Sequence, residues 1–360
     1  MSVFRPESII EASPSHPEPA PLRIVVPAGG IGGARLLRGL AAVVGDDAVI
    51  TVIGNTGDDI WVHGLRVCPD LDTVMYTLGN GISEERGWGR EDETFTVKDE
   101  LAAYGVEPTW FGLGDRDTAT HLIRTQLLHA GYPLSAVTAA LCDRWKPGVQ
   151  LLPMSDERVE THVVVDDPDQ TPEPGQAAAR RAIHFQEWWI RYRAQLPAHS
   201  FAYVGLDNAK PGPGVIEAID TCDLIIIPPS NPVVSVGTIL QIPGIREAIV
   251  EAPAPVVGIS PIIAGAPVRG MADACLRAID VPTTATGIAR HYGPRRALIP
   301  IGASGGGILD AWLIDTSDAA AVPDIEALGI TCAAVPLLMS DLAKTADMAR
   351  AAMDLVGFSP

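Results

Sequence analysis

Leu22-Arg23-Ile24-Val25-Val26-Pro27-Ala28 runs straight into Gly29-Gly30-Ile31-Gly32-Gly33, and Ala34 to Val44 continues with apolar residues at helical spacing. A β-branched strand, a glycine turn and a helix, followed by a second apolar strand at Ala48–Ile53, form the first step of a parallel α/β sheet. Glycine lets backbone N–H groups close on an anion, and the N-terminal end of the next helix adds partial positive charge. Four glycines in five residues exceed what a tight strand–helix turn needs. Gly29, Gly30, Gly32 and Gly33 are therefore read as a cradle for a phosphate-bearing, nucleotide-linked ligand. Gly30-x-Gly32 begins a dinucleotide fingerprint, but Arg35 stands where the third glycine belongs, which argues against a plain NAD site. No GK[ST] follows, so the run is not a P-loop either.

Working outward, Leu224–Ile227, Val256–Ile259, Ala297–Ile301 and Ile308–Ile314 read as further strands, preceded by Phe201–Val204. Helices fall between them, and Asp341–Leu355 reads as a closing helix. Gln150–Pro153 and Val159–Val165 are strand-like, and Asp166–Gln176 is a Pro/Asp-rich surface loop. Asp72–Leu78, Thr94–Tyr104, Ala119–Ala130 and Leu134–Trp145 are helical. The predicted fold is α/β: a Rossmann-like, doubly wound, mainly parallel sheet in one domain over residues 21–360, with a helical insertion at about 84–146. Residues 1–20, rich in Pro, Ser and Glu, read as a disordered tail. Gly302–Gly307 (GASGGG) is a hairpin turn or a flexible loop.

The 360 residues carry a formal net charge of −18, which argues against a nucleic-acid surface and against an anionic membrane as partners. An anionic small ligand stays compatible with that charge, because backbone amides, a metal or local arginines can hold it. The five cysteines lie far apart with no CxxC pair, as expected of reduced thiols in a cytoplasmic protein. No apolar run is long enough to span a bilayer.

Several strand-end loops carry candidate chemistry. Gly54-Asn55-Thr56-Gly57-Asp58-Asp59 follows the second strand and should lie beside the glycine run. Its aspartates suit a divalent metal, or one of them caps a helix. In Cys68-Pro69-Asp70-Leu71-Asp72-Thr73 one carboxylate can be a helix cap, but four aspartates within 15 residues are a dense set of hard oxygen ligands that calls for a cation. Gly112-Leu113-Gly114-Asp115-Arg116-Asp117 holds a capping aspartate and an arginine able to fork onto phosphate or carboxylate. His121, one turn on, is structural or catalytic. Pro228-Pro229-Ser230-Asn231-Pro232 is a rigid turn or a set of phosphate or base contacts. Trp188, Trp189 and Tyr192 read as core rather than as a ligand pocket. Neither G-x-S-x-G nor HExxH is present.

Taken together, GGIGGARLLRGL (29–40), GNTGDDIWVHGLRVCPDLDTVMYTL (54–78), GWGREDETF (87–95), LGDRDTATHLIRTQ (113–126), LLPMSDERVETHV (151–163), HFQEWWIRYR (184–193), PPSNPVVSVG (228–237) and GISPIIAGAPVRGMAD (258–273) resemble the 2-phospho-L-lactate transferase family of deazaflavin coenzyme F-420 biosynthesis. The resemblance runs from about Leu22 to Leu355 and looks closest to the actinobacterial, phosphoenolpyruvate-using branch. It implies a Rossmann-like transferase, dimeric and Mg²⁺-dependent. Such an enzyme joins the ribityl hydroxyl of the deazaflavin Fo to a phosphorus of lactyl- or enolpyruvyl-diphosphoguanosine and releases GMP. By motif it places Asp58, Asp70 and Asp72 at the metal and the Fo hydroxyl, and the glycine run with Ser230 and Asn231 on the guanosine diphosphate side. Gly112 falls at a position that contacts Fo, here through backbone.

The expected roles follow. Asp58 and Asp70, with Asp72, bind the metal. Asp72 orients or deprotonates the incoming hydroxyl, and Arg116 holds the carboxylate or a phosphate oxygen. Asn55, Thr56, Asp59 and Asp115 join the substrate contacts. The rivals are a nucleotide-sugar-binding regulatory protein without turnover, disfavoured by the acidic loops, and an NAD-dependent oxidoreductase, disfavoured by Arg35.

Overall fold

The computed structural model describes residues 20–170, 176–295 and 306–358. Its centre is a seven-stranded sheet: β1 (Leu22–Ala28), β2 (Ala48–Gly54), β3 (Gln150–Pro153), β4 (Leu224–Ile227), β5 (Val256–Ile259), β6 (Ala311–Asp315) and β7 (Thr331–Val335). They lie in the order β3-β2-β1-β4-β5-β6-β7, with every neighbouring pair parallel. The α/β doubly wound reading holds.

Alternation along the strands explains their unbroken apolar runs. On β1, Ile24 and Val26 pack into one core while Val25 packs into the other, and on β4 Leu224 and Ile226 part from Ile225 and Ile227 in the same way. A sheet buried on both faces needs apolar side chains at every position. On one face, helix α1 (Gly30–Val44) packs Leu36, Leu37 and Leu40 with Met348, Ala349 and Met353 of the closing helix Leu342–Asp354.

The strand order reverses between β1 and β4, so the loops leaving their carboxyl ends splay apart and form the crevice where such sheets bind ligands. Those loops are the glycine run and Pro228–Asn231. Gly30 takes a positive φ of 64°, the left-handed region that favours glycine. At Gly32 a Cβ would fall on the Pro229 carbonyl oxygen. Ser230 Oγ donates to the Gly29 carbonyl at 2.8 Å and ties the two loops together.

Three helices follow in the segment expected to be helical: α3 (Thr96–Ala103), α4 (Asp115–His129) and α5 (Leu134–Trp145), after α2 (Pro69–Leu78). Helix α2 begins at Pro69, not Asp72. Proline is already fixed at the φ a first helical turn needs, so Asp70 and Asp72 lie inside that turn. Phe201–Val204 is not part of the central alternation. It belongs to Ser200–Val204, which pairs with Glu160–Asp166 and Arg180–His184 in a separate antiparallel sheet. Edge strand β7 was not expected, since half-exposed Ala333 and Ala334 dilute its apolar signal. The predicted strand Ala297–Ile301, residues 302–305 of GASGGG and residues 1–19 of the predicted tail lie outside the described residues. No described helix is long and apolar enough to cross a membrane.

Helix α1 meets the closing helix at Gly39, where a Cβ would strike the backbone and Cγ2 of Thr345. A Gly39→Val variant should lose about 1–3 kcal/mol of stability through overpacking, read as a lowered midpoint in urea denaturation. An unchanged midpoint would show that the two helices can slide apart at no cost.

Candidate functional site

A cavity of about 920 Å³ opens at the crevice between the β1 and β4 loops. Its floor is the glycine run. Asp58, Asp70 and Asp72 line it, as do Arg35 and Arg269. Tyr76, Trp88, Phe95, Trp110, Phe111, Phe185 and Trp189 also line the cavity, although the whole chain holds only 7 Trp, 6 Tyr and 6 Phe. Such a concentration suits the cavity to a planar aromatic guest.

All four aspartates of the two acidic loops are buried, but two of them are paired and two are not. Asp59 accepts from Arg66 Nη2 at 3.0 Å, with both side chains buried. Asp72 Oδ1 is held by Arg124, which is only 1% exposed. Among the described residues no cation is paired with Asp58 or Asp70. Asp70 Oδ2 accepts from Asn55 Nδ2 at 2.8 Å, while Asp58 Oδ1 is buried with no hydrogen-bond partner. Burial, followed by the charge of Asp70, pushes the Asp58 carboxyl well above the usual carboxylate range. Burial lifts Asp70 to about 6 even though Asn55 works against it. Burial also raises Asp59 to about 6 against the pull of Arg66, and raises Asp72 against Arg124 and His121.

Those observations test the expected metal. Two unneutralised, adjacent carboxylates facing a cavity, one with an orphaned oxygen, fit a divalent cation that takes its other ligands from water and phosphate. Asp72 differs in that Arg124 pairs with its Oδ1, while its Oδ2, like Asp58 Oδ1, is buried with no hydrogen-bond partner. Among the described residues no group of three His, Cys, Asp or Glu side chains is gathered to hold a metal by itself.

Behind Asp72 lies a buried chain of polar groups. His121 Nδ1 stands 3.7 Å from Asp72 Oδ2, and His121 Nε2 stands 3.5 Å from Asp117 Oδ1. Tyr76 Oη donates to the same Asp117 oxygen at 2.6 Å. Burial acts to raise Asp117, but the His121 hydrogen bond and charge outweigh it and the carboxyl is lowered. The antiparallel sheet braces the Asp58-Asp59 loop from the other side. Gln186 N–H donates to His184 Nδ1 at 3.1 Å, so Nε2 carries the proton and donates to the Asp59 carbonyl at 3.1 Å. Gln186 Nε2 donates to the Asp58 carbonyl at 3.3 Å.

The predicted site residues divide accordingly. Gly29, Gly30, Gly32, Asp58, Asp70, Asp72, Gly112, Ser230 and Asn231 line the cavity. Gly33 packs beneath it against Ser230 and Ala28. Asn55 and Thr56 are fully buried behind the wall; Asn55 orients Asp70 and accepts the Gly57 N–H at 2.9 Å. Asp59 is spent on Arg66. Arg116 and Asp115 are not brought to the lining. Arg116 is half exposed and pairs with Asp92 at 3.7 Å. Asp115 accepts from the Thr96 and Val97 N–H groups at 3.0 and 2.9 Å and so caps α3. Trp188 is core, its Nε1 donating to the Leu196 carbonyl at 2.8 Å, whereas Trp189 lines the cavity. Sequence reasoning missed Arg66, Arg124, Tyr76, Arg269 and Lys98. The spacing of Arg124, three residues after His121 on one helix, was the available signal.

Comparison with known proteins gives matches over most of the chain. The family model described as "2-phospho-L-lactate transferase CofD" matches residues 24–328. A phosphoenolpyruvate transferase of Streptomyces griseus is 63% identical over 334 residues, covering 93% of this chain and 98% of that one. Those of Thermobifida fusca and Mycobacterium avium are 62% and 55% identical, covering 93% and 94% of this chain and 98% and 100% of theirs. Among solved structures, protein BH3568 of Bacillus halodurans aligns with a TM-score of 0.55 at 19% identity, over 91% of this chain and 99% of that one. A second structure of BH3568, described as a member of the UPF0052 family, aligns equally well. That likeness concerns the fold alone.

Two outcomes follow from the buried charges. An Arg124→Met variant leaves Asp72 buried and unpaired and should lose about 3–5 kcal/mol of stability; adding Asp72→Asn in the same chain should recover much of it in urea denaturation. Equal stability of the two variants would show that the pair is not what compensates Asp72. Burial, ahead of the other influences, lowers His184 from 6.5 to about 4. Between those values the unfolded imidazole binds a proton that the folded one refuses, so stability falls as pH drops through that window. His184→Gln should flatten this part of the stability–pH curve, and an unchanged slope would assign the acid sensitivity elsewhere.

Proposed function

This chain belongs to the 2-phospho-L-lactate transferase CofD family, and from that premise we propose that it transfers a phosphoenolpyruvyl group from a guanosine-diphosphate-activated donor to the terminal ribityl hydroxyl of the deazaflavin Fo, releasing GMP. The observation that carries the reading is one cavity lined by the glycine run, by Asp58 and Asp70, and by seven aromatic side chains. A diphosphate, a metal and a fused-ring acceptor each find the chemistry they need there. The phosphoenolpyruvyl donor, rather than phospholactyl, is supported by the names of relatives at 55–63% identity. A homodimer remains part of the proposal on the family resemblance.

Transfer at phosphorus depends mainly on positioning and on charge neutralisation. Mg²⁺ held by Asp58 and Asp70 would supply positive charge to the diphosphate and to the departing GMP. The glycine run and the N-terminal end of α1 bind the donor's phosphates through backbone amides. Ser230 is fixed on Gly29 and keeps the cradle closed against the β4 loop, with Asn231 beside it. Arg35 and Arg269, which line the cavity, take the carboxylate-holding role first assigned to Arg116. Asp72 accepts the hydrogen bond of the incoming hydroxyl, and Arg124 holds its carboxylate in one orientation.

The test incubates the protein with Fo, Mg²⁺ and enolpyruvyl-diphosphoguanosine and follows GMP together with the charged deazaflavin product. Asp72→Asn should cut turnover by about 10²–10⁴-fold, the usual worth of a general base, while GDP binding by calorimetry is retained. No GMP release with either the enolpyruvyl or the lactyl donor would overturn the transferase reading, and full activity in Asp72→Asn would remove that residue from the chemistry.

A further inference from the structure

Lys98, the third residue of α3, has no role in the mechanism above, yet it lines the same cavity. Its side chain runs along Gly112. A Cβ at position 112 would stand in ordinary contact with Lys98 Cδ, Nζ and Cε, at 3.6, 3.7 and 3.8 Å, so the lysine stem and ammonium lie against this loop. Phe95, Trp110 and Phe111 line the cavity close by in sequence, and Trp110 and Phe111 meet edge to face at 5.8 Å.

Lys98 is half-buried, and no hydrogen bond or ion pair joins its ammonium to another described residue. The neighbouring charges are engaged elsewhere. Asp115 accepts the N–H groups that open α3, and Glu93 accepts those of Arg116 and Asp117 at 2.6 and 3.1 Å. Asp117 also serves Tyr76 and His121. Arg86 donates to the Arg90 carbonyl and lies over Trp88 and Phe95. Asp92 pairs with Arg116. On the helix itself Asp99 and Glu100 are exposed. A half-buried ammonium lining a cavity that aromatic side chains also line, with no carboxylate among the described residues to answer it, calls for an anionic guest.

We propose that Lys98 is the counter-charge that holds the acceptor ring as its ring-hydroxyl anion. The inference rests on the deazaflavin reading above. The ring hydroxyl of such an acceptor is conjugated with its pyrimidinedione carbonyls, so loss of its proton to solvent spreads one negative charge over the ring. A cation within about 4–6 Å favours that form, and aromatic walls lower the local dielectric and strengthen the attraction. This ionisation is separate from the ribityl hydroxyl that reacts. Its effect is to select and orient the ring.

The experiment uses the full chain with GDP, Mg²⁺ and Fo and titrates the bound chromophore by visible absorption. In the wild type, bound Fo should hold its ring proton about three- to tenfold more weakly than free Fo. Lys98→Met should abolish that difference and raise KM for Fo more than it lowers kcat, and Lys98→Arg should restore both. GDP affinity, which does not involve Lys98, reports that the variants are folded. If Fo binds and titrates alike in the wild type and in Lys98→Met, the inference falls while the transferase reading stands. If GDP binds and Fo does not, the acceptor reading fails and this inference with it.

Discussion

Four buried aspartates set the terms for this structure. A carboxylate cannot be taken out of water without an opposite charge or strong hydrogen bonds. The fold answers Asp59 with Arg66 and Asp72 with Arg124, and leaves Asp58 and Asp70 facing the cavity without a cation. The elements around the site are arranged about that division. Helix α4 exists in this place to deliver Arg124, His121 and Asp117 to the back of Asp72, and the hairpin Ile60–Val62/Leu65–Val67 delivers Arg66 to Asp59. The small antiparallel sheet fastens the Asp58-Asp59 loop through His184 and Gln186. Two carboxylates serve the fold, and the two left over are available to a ligand.

Much of this was legible in the residues. The strands of a sheet buried on both faces announce themselves as unbroken apolar runs, and the glycine run marks the one strand end where the backbone must approach something closely. The strand order then brings the Ser230 loop to the Gly29 loop although 201 residues separate them. That pairing follows from the topology and not from any local signal. The same logic explains the failures. Phe201 and its neighbours alternate as any strand does, and nothing local tells a central parallel strand from one in a satellite sheet. Arg116 and Arg124 look equivalent in a polar helix and, eight residues apart, fall on one stripe of it; Arg116 is exposed in the first turn, while Arg124, about two turns further along, is buried against Asp72. The counter-charges of a site are read from packing, because any of several cations in the chain could have served.

The cavity combines two kinds of recognition. The glycine run, Ser230 and arginines are suited to phosphate oxygens, and ring faces line the same cavity together with Lys98. On the proposed reading Asp72, which lines this cavity too, is where donor and acceptor meet, and Arg124 holds its carboxylate in one orientation as a fixed reference for the attacking oxygen. Such positioning is the larger part of what an enzyme contributes to transfer at phosphorus.

A net charge of −18 does not at first sight suit the nucleoside diphosphate ester proposed as the donor. At physiological ionic strength, however, charges more than about 8 Å from the ligand are largely screened. What the ligand meets is therefore the inside of the cavity. Of the carboxylates that line it, Asp72 is paired with Arg124 and Asp117 is engaged by His121 and Tyr76, which leaves Asp58 and Asp70. One divalent cation matches that residue of charge. Arg35 and Arg269 both line the cavity, and burial, then the nearby like charge of Arg269, lowers the Arg35 pKa. The phosphates of the proposed donor would relieve the repulsion between two such guanidinium groups. A local arrangement of this kind lets an acidic chain offer cations to an anionic ligand.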